Sequence, residues 1–354
     1  MLFTKKLSLW LFVVSCFFIY IGYVIFIGVS FIESRVSLNI IRVISLALIL
    51  VSIYMNKRKV IYHGLLLSLL FLSLFIINGN AILINFVFIV WFAIACKSFN
   101  ANSLLHFLLW TCLIVCFFHL ILFYSGLLGS EKYTVGGRER YVFGFWNPNV
   151  LALCYMSLVY LIASRLTIKY YHYIIMAGSL LIVWLSDSRT VFYGFVIYIF
   201  LSAASKIPAG SFLLRKLTVL SPFIFFCISL SLVTLHDSPL NEVMSLRPSL
   251  FKVYLEKIDY TGILIGRGYL NTEVVDNSYL MLLGACGAPI TIIVLGIISF
   301  MISKTIGRYI PFIFVLLVSS MFETFLLRPE IPLTMLFFIM LTANPDNKCN
   351  AHCA

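Results

Sequence analysis

The sequence predicts an all-α, polytopic integral membrane protein of about twelve transmembrane helices. Both termini face the cytoplasm, and a large extracytoplasmic loop separates the ninth and tenth helices. Three observations carry this. Hydrophobic residues make up 62% of the 354 and charged residues only 11%, with a mean hydropathy of +1.07. Apolar runs of the length needed to cross a hydrocarbon core recur from end to end. The runs are continuous rather than alternating, which fits helices and not a barrel, the two structures that can satisfy their backbone polar groups in lipid.

The elements follow in chain order. The first run, 8–32, is too long for a secretory signal core and is followed by no small-residue cleavage site, so it reads as a retained helix. Spans at 38–55, 60–77, 81–96 and 103–124 come next; Arg42 in the second lies near enough to its outer end to snorkel. A loop, 125–148, precedes spans at 149–164 and 171–186. The polar hinge Ser186-Asp187-Ser188-Arg189-Thr190 leads into 190–204, and 217–235 follows. The longest loop, 236–276, leads to spans at 277–301, 309–325 and 331–343. The whole chain is one transmembrane domain, since no stretch is polar enough to fold as a separate soluble one.

With the N-terminus inside, fourteen of the 25 basic residues populate the inner loops, among them Lys57, Arg58, Lys59, Arg215, Lys216, Lys304 and Arg308, as the positive-inside rule requires. The net charge of +12 is therefore assigned to cytoplasmic loops and not to nucleic-acid binding. Ten basic residues face outward, and seven of them fall in the two long loops. Outward cations concentrated in this way ask for an anionic partner.

Three outer segments are candidates for chemistry. In the first loop, Gly136 and Gly137 permit a tight turn, Arg138 and Arg140 bracket Glu139, and Trp146 precedes Asn147-Pro148-Asn149. Pro148 suits a first helical position and the Asn before it suits a cap. The alternative is an ordinary loop whose arginines meet lipid headgroups and whose aromatics form an interfacial belt. In the hinge, Arg189 could hold phosphate oxygens in pairs or form a structural bridge with Asp187. In the longest loop, Arg247-Pro248 opens a stretch with Leu250, Phe251, Tyr254, Leu255 and Ile258 on one helical stripe, the pattern of a helix lying in the headgroup layer. A glycine-rich turn, Gly266-Arg267-Gly268-Tyr269, follows. Asp276, at the mouth of the next helix, reads equally as a general base or as that helix's N-cap.

Glu323, near the outer end of span eleven, is a carboxylate inside an apolar run and so a second candidate base. His63, His106 and His119 lie in or beside spans and read as core histidines more readily than as ligands. The nine cysteines are scattered, with no disulfide framework. Cys349, His352 and Cys353 form a tail cluster that reads as solvated chain rather than a metal site. No nucleotide or zinc fingerprint is present.

Taken in order, Gly144-Phe145-Trp146-Asn147-Pro148-Asn149, Ser186-Asp187-Ser188-Arg189-Thr190 and Asp276-Asn277-Ser278-Tyr279-Leu280 resemble bacterial O-antigen polymerases of the Wzy type, within a superfamily that also holds O-antigen ligases and capsule polymerases. The resemblance spans roughly 100–330. It implies a glycosyltransferase of the bacterial cytoplasmic (inner) membrane. Such an enzyme moves a growing glycan from undecaprenyl diphosphate to the next undecaprenyl-diphosphate-linked repeat at the outer face, with no cofactor or metal. Its implied partners are that lipid-linked oligosaccharide, membrane lipids and a chain-length regulator. It implies Arg138 or Arg140, Arg189 and Arg247 on the diphosphate; beside these, Asp276 and Glu323 are the candidate catalytic carboxylates read from the residues themselves, and Asn147, Asn149, Asn277 and Tyr279 are candidate glycan contacts or loop support. Where ligases carry a His-Asn pair at the span after the large loop, this chain has Asp276-Asn277, which favours polymerase. A ligase and a flippase of the same lipid-linked oligosaccharide are the alternatives; few ionisable groups lie near mid-span to line a transport path.

Overall fold

The computed structural model describes residues 2–28, 34–56, 61–80, 82–129, 132–135, 138–145, 147–164, 169–267 and 275–342. Gly136, Gly137, Trp146, Gly268, Tyr269 and the tail cluster Cys349, His352 and Cys353 lie outside them. Among the described residues the fold is all-α apart from one short hairpin, and the chain divides into two compact units. One holds Met1–Ile61, Trp91–Tyr193 and Pro329–Ala354; the other holds Tyr62–Val90 and Gly194–Arg328.

In the first unit, α1 (Leu2–Gly28) and α2 (Ser34–Met55) pack antiparallel along a serine seam. Ser8 Oγ donates to Ser52 O at 3.0 Å, and Ser52 Oγ returns a bond to Ser8 O at 2.9 Å. One heptad on, Ser15 Oγ donates to Ser45 O and Ser45 Oγ to Ser15 O, at 2.9 and 3.2 Å. Lipid offers helices no hydrophobic drive to associate, so small residues that let backbones close up and hydroxyls that bond across supply the attraction. Gly22 continues the seven-residue spacing, and the Ile41 side chain fills the space its Cβ would take.

Further along, α5 (Ala101–Tyr124) packs against α1, α6 (Pro148–Ala163) and α15 (Pro332–Thr342). Every residue from Val150 to Ile162 of α6 is buried, as befits a helix that is apolar on all sides and sits at a core. Then α7 (Tyr170–Leu185) packs on α6. The hairpin lies in the loop before α6: β1 (Lys132–Val135) pairs antiparallel with β2 (Arg138–Tyr141), Tyr133 opposite Arg140. Arg42 has a partner within the protein: its Nη2 lies 3.1 Å from the buried Glu330 Oε1.

In the second unit, α9 (Pro208–Ser231) packs against α13 (Ser278–Lys304) and α14 (Ile310–Ser319). Between α9 and α13 run the short helices α10 (Leu240–Val243), α11 (Arg247–Glu256) and α12 (Tyr260–Ile265). In the stripe read from sequence, Phe251, Tyr254 and Ile258 are buried with Val275 and Leu280, Leu255 packs against them, and Leu250 is exposed. The remaining helices are α3 (Ile61–Asn78), α4 (Ile82–Cys96) and α8 (Arg189–Ala204).

One helix is broken. Gly287 in α13 has φ +75°, and a Cβ there would stand 2.4 Å from Leu264 O at the end of α12. Gly266, at φ +80°, is as tightly placed against Ala285 O. Freed carbonyls at the break find donors: Arg267 N–H donates to Gly284 O at 2.8 Å, and Asn78 Nδ2 to Ala285 O and Ile265 O at 3.1 Å each. Backbone groups freed by a break in a buried stretch of helix have to find partners within the protein, and these do.

Candidate functional site

The strongest constellation lies in the second unit and is assembled by three turns. Arg247 begins α11 just after Ser245 and Leu246, two consecutive non-glycine residues at positive φ, 57° and 62°. Such a pair costs free energy and is kept where the surroundings enforce it. Here it sets the start of α11 and so the position of Arg247. Glu323 sits in the turn after α14 rather than within the helix, which ends at Ser319, and Ser278 Oγ donates to Glu323 O at 2.7 Å. Asp276 stands just outside α13. The cap of α13 is Asn277, whose Oδ1 accepts from Tyr279 N–H and Leu280 N–H at 2.9 and 3.0 Å. The capping reading of Asp276 is therefore corrected: with the neighbouring amide meeting the first-turn donors, its carboxylate turns toward Arg247.

Arg247 Nη2 is 3.3 Å from Glu323 Oε1 and 3.9 Å from Asp276 Oδ2, and its guanidinium lies over the Phe322 ring at 5.8 Å. Side-chain exposure is 15% for Arg247, 4% for Glu323 and 29% for Asp276. One cation thus serves two carboxylates, and the trio's formal charge is −1 when all are ionised. Glu323 is screened from water, while Asp276 is partly exposed. Asn277 Nδ2 donates to Ser229 Oγ at 3.0 Å and Tyr279 Oη to Leu317 O at 3.0 Å; both side chains are buried and hold the first turn of α13 in place.

A second constellation lies in the first unit. Arg140 is engaged with protein acceptors: Nε donates to Ser186 O at 3.0 Å, and Nη2 to Asn149 Oδ1 at 2.8 Å and to Asp187 O at 3.0 Å. It ties the hairpin to the α7–α8 hinge and to the start of α6. Asn147 caps α6 by accepting from Asn149 N–H at 2.8 Å, with Pro148 in the first turn. Arg189 opens α8. It is 52% exposed, and its Nε stands 4.0 Å from Asp187 Oδ1, the loose limit of an ion pair. Asp187 itself holds φ +48°. Arg138 lies on β2 opposite Val135. On the same strand Glu139 accepts from Lys132 Nζ at 2.8 Å, and that bond holds its carboxyl below the usual range. Arg140 and Arg189 thus belong to one unit and Arg247 to the other.

Some participants had no sequence signal strong enough to single them out. Ser278 and Phe322 sit beside residues that did, but a serine in a cap motif and one aromatic among 33 phenylalanines are unremarked by type alone. His119, read as a core histidine or a ligand, is a core histidine. Nε2 is 2.8 Å from Phe143 O, Nδ1 is 3.0 Å from Tyr155 Oη, and the ring stacks edge-on with Phe145 at 4.7 Å. It holds the return from the hairpin, where Phe143 and Gly144 both take positive φ. Among the described residues, no group of three His, Cys, Asp or Glu side chains is placed to hold a metal ion.

No protein-family model, curated protein or solved structure matches the chain. What the fold defines is an all-helical protein. Four of its helical segments, Thr4–Val24, Ala101–Tyr124, Pro208–Leu235 and Ser278–Lys304, are long and apolar enough to cross a membrane, with shorter apolar helices beside them.

Proposed function

We propose that the protein is a polymerase of lipid-linked polysaccharide repeats, working on polyprenyl-diphosphate-linked glycan at the outer face of a bacterial cytoplasmic membrane through about twelve spans with both termini inside. The observation that carries the reading is the Arg247–Glu323–Asp276 cluster, a guanidinium shared by two carboxylates of unlike exposure beside the capped start of a broken helix. The resemblance of the flanking motifs to Wzy-type polymerases supports it, and so do the cations gathered in the outer loops.

In this reading a carboxylate of the pair takes the proton of the acceptor hydroxyl. The hydroxyl oxygen bonds to the anomeric carbon of the donor sugar, the bond from that carbon to the diphosphate oxygen breaks, and the lipid diphosphate leaves with the electron pair. Proton uptake changes the trio from −1 to neutral. Arg247 then has less carboxylate charge to answer and more to offer the departing oxyanion, and a preorganised donor counts most where charge develops. Arg189, loosely paired and half exposed, belongs to the other unit and is a separate candidate for binding diphosphate. A base in reach of the hydroxyl typically contributes 10²–10⁴-fold. The energy comes from the donor's own diphosphate ester, so no nucleotide is needed.

The deciding experiment is the surface glycan of a deletion strain. A single repeat on each lipid core, restored to a ladder by the intact chain, is the expected result. A bare core points instead to a ligase or flippase and ends the polymerase reading.

A further inference from the structure

What enforces the left-handed pair before Arg247 lies in its hydrogen bonds. Ser245 and Leu246 are both exposed, so packing of their side chains does little to hold them at φ 57° and 62°. The backbone holds them instead. Leu246 N–H donates to Asn241 O at 2.8 Å, and Ser245 N–H to Glu242 O at 3.0 Å. With Met244 as the cap of α10, these are the two bonds of a Schellman motif, and Ser245 stands where glycine is usual.

The side chain of the same Asn241 caps the next helix. The residue before Arg247 is Leu246, whose side chain gives the first turn of α11 no acceptor. The donors of that turn are nonetheless met. Arg247 N–H donates to Met244 O at 3.3 Å, Pro248 has no N–H, and Ser249 N–H donates to Asn241 Oδ1 at 3.3 Å. Leu250 N–H makes the first helical bond, to Leu246 O at 3.1 Å. The other end of the amide is engaged as well. Asn241 Nδ2 donates to Ser249 Oγ at 2.7 Å and to His236 O at 2.8 Å. His236 follows the short turn Leu232–Leu235 beyond α9, and Leu232 and Val233 of that turn pack on the core around Phe251 and Tyr254. Asn241 is itself buried. One amide thus joins the extension of α9, the end of α10 and the start of α11.

We infer that Asn241 is a positioning residue for the Arg247–Glu323–Asp276 cluster: it fixes the backbone from which the Arg247 guanidinium reaches its two carboxylates. A helix whose first-turn donors lack partners is weakest at that end, and Arg247 is the first residue of α11. Its guanidinium ends a long side chain, so a small change at Cα becomes a larger one at Nη2. Constellations of this kind have to be held within about 0.5 Å of their working geometry. The placement stands on the hydrogen bonds; its consequence for polymer rests on the function proposed above.

The test is whether Asn241 acts through Arg247. In the parent chain, Arg247→Ala should lower the melting temperature by leaving its carboxylates without their cation. Asn241→Ala already loosens that contact, so adding Arg247→Ala to it should give roughly half the parent's shift or less, as expected of coupled residues. A cap that only stabilises α11 gives shifts that add, and additive shifts overturn the proposal. Asn241→Asp covers the case in which alanine prevents folding. It keeps an oxygen for Ser249 N–H and loses the bond to His236 O, so Arg247→Ala should have an intermediate effect in that chain; an undiminished effect there overturns the proposal equally. Glycan ladders from the same strains read the consequence. Asn241→Ala should cut polymer by about 10²-fold, the cost of a misplacement of about 1 Å, and should add little to the loss already caused by Arg247→Lys. A further loss of the same size in the Arg247→Lys chain means that Asn241 acts by another route and overturns the proposal. Coupled melting shifts with a ladder of normal length support the placement and end the catalytic reading of the cluster.

Discussion

Arg247 Nη2 lies 3.3 Å from Glu323 Oε1, two residues separated by 76 positions in the chain and joined by the end of α14 and the start of α11. Each is nearly enclosed, so neither can exchange its partner for water. Removing one partner of a buried pair costs up to roughly 3–5 kcal/mol, and here Asp276, 3.9 Å from Arg247 Nη2, shares the cation.

Arg247→Ala should therefore lower thermal stability and abolish polymer. Adding Glu323→Gln should recover part of the stability, since it removes the more buried of the two carboxylates that face Arg247, and none of the polymer. Melting temperatures of the two single variants and the double variant, with glycan ladders from the same strains, give both answers. A normal ladder from Arg247→Ala ends the catalytic assignment.

Arg247→Lys separates charge from shape. An ammonium is a point charge without the planar fork of guanidinium. Polymer yield should fall by about 10²–10³-fold, the range seen when one oxyanion donor is lost, with stability close to the parent's. Rescue of full activity by lysine would leave only a charge requirement.

The two arginines of the first unit should behave differently. Arg140→Ala removes three hydrogen bonds to Ser186 O, Asp187 O and Asn149 Oδ1 and should loosen the hairpin, seen as faster proteolysis within 125–147. Arg189→Ala breaks only a 4.0 Å pair at an exposed site, worth at most about 1 kcal/mol. It should leave folding unchanged while ending polymer. A full-length ladder from Arg189→Ala would remove that residue from the diphosphate site.

Asn277→Ala should cost about 0.5–2 kcal/mol through the lost cap, with a further loss from the Ser229 bond. Asn277→Asp keeps the cap acceptor and should recover the first part only. Denaturation in detergent compares the three chains; equal stability of alanine and parent contradicts the capping role.

Gly287→Ala tests the broken helix. Its positive φ and the 2.4 Å approach to Leu264 O leave no room for a methyl. The variant should fail to accumulate folded protein in the membrane, whereas Gly178→Ala, at a position with open space around it, should accumulate normally. Equal yields would mean that α13 can straighten.

Hydropathy alone placed the apolar helices, because burying twenty peptide groups in lipid leaves the backbone one local solution. The start of α6 was legible for the same local reason: Asn147 and Pro148 carry their own capping geometry. The cap of α13 was left open at Asp276 and falls on Asn277: both are good caps, and the choice goes with the packing of Ser278 against Ser320 and Glu323. The Arg42–Glu330 pair had no sequence signal, because its partners lie 288 residues apart. Nor could the sequence say that Arg140 faces carbonyls while Arg189 stands half exposed, or that Gly287 breaks a helix whose run of apolar residues is unbroken. The sequence determined which segments are helical and apolar, a matter of each residue's own solvation. Tertiary structure decided which charges meet and how enclosed they are, because pairing and burial depend on neighbours that the chain brings together only when it folds.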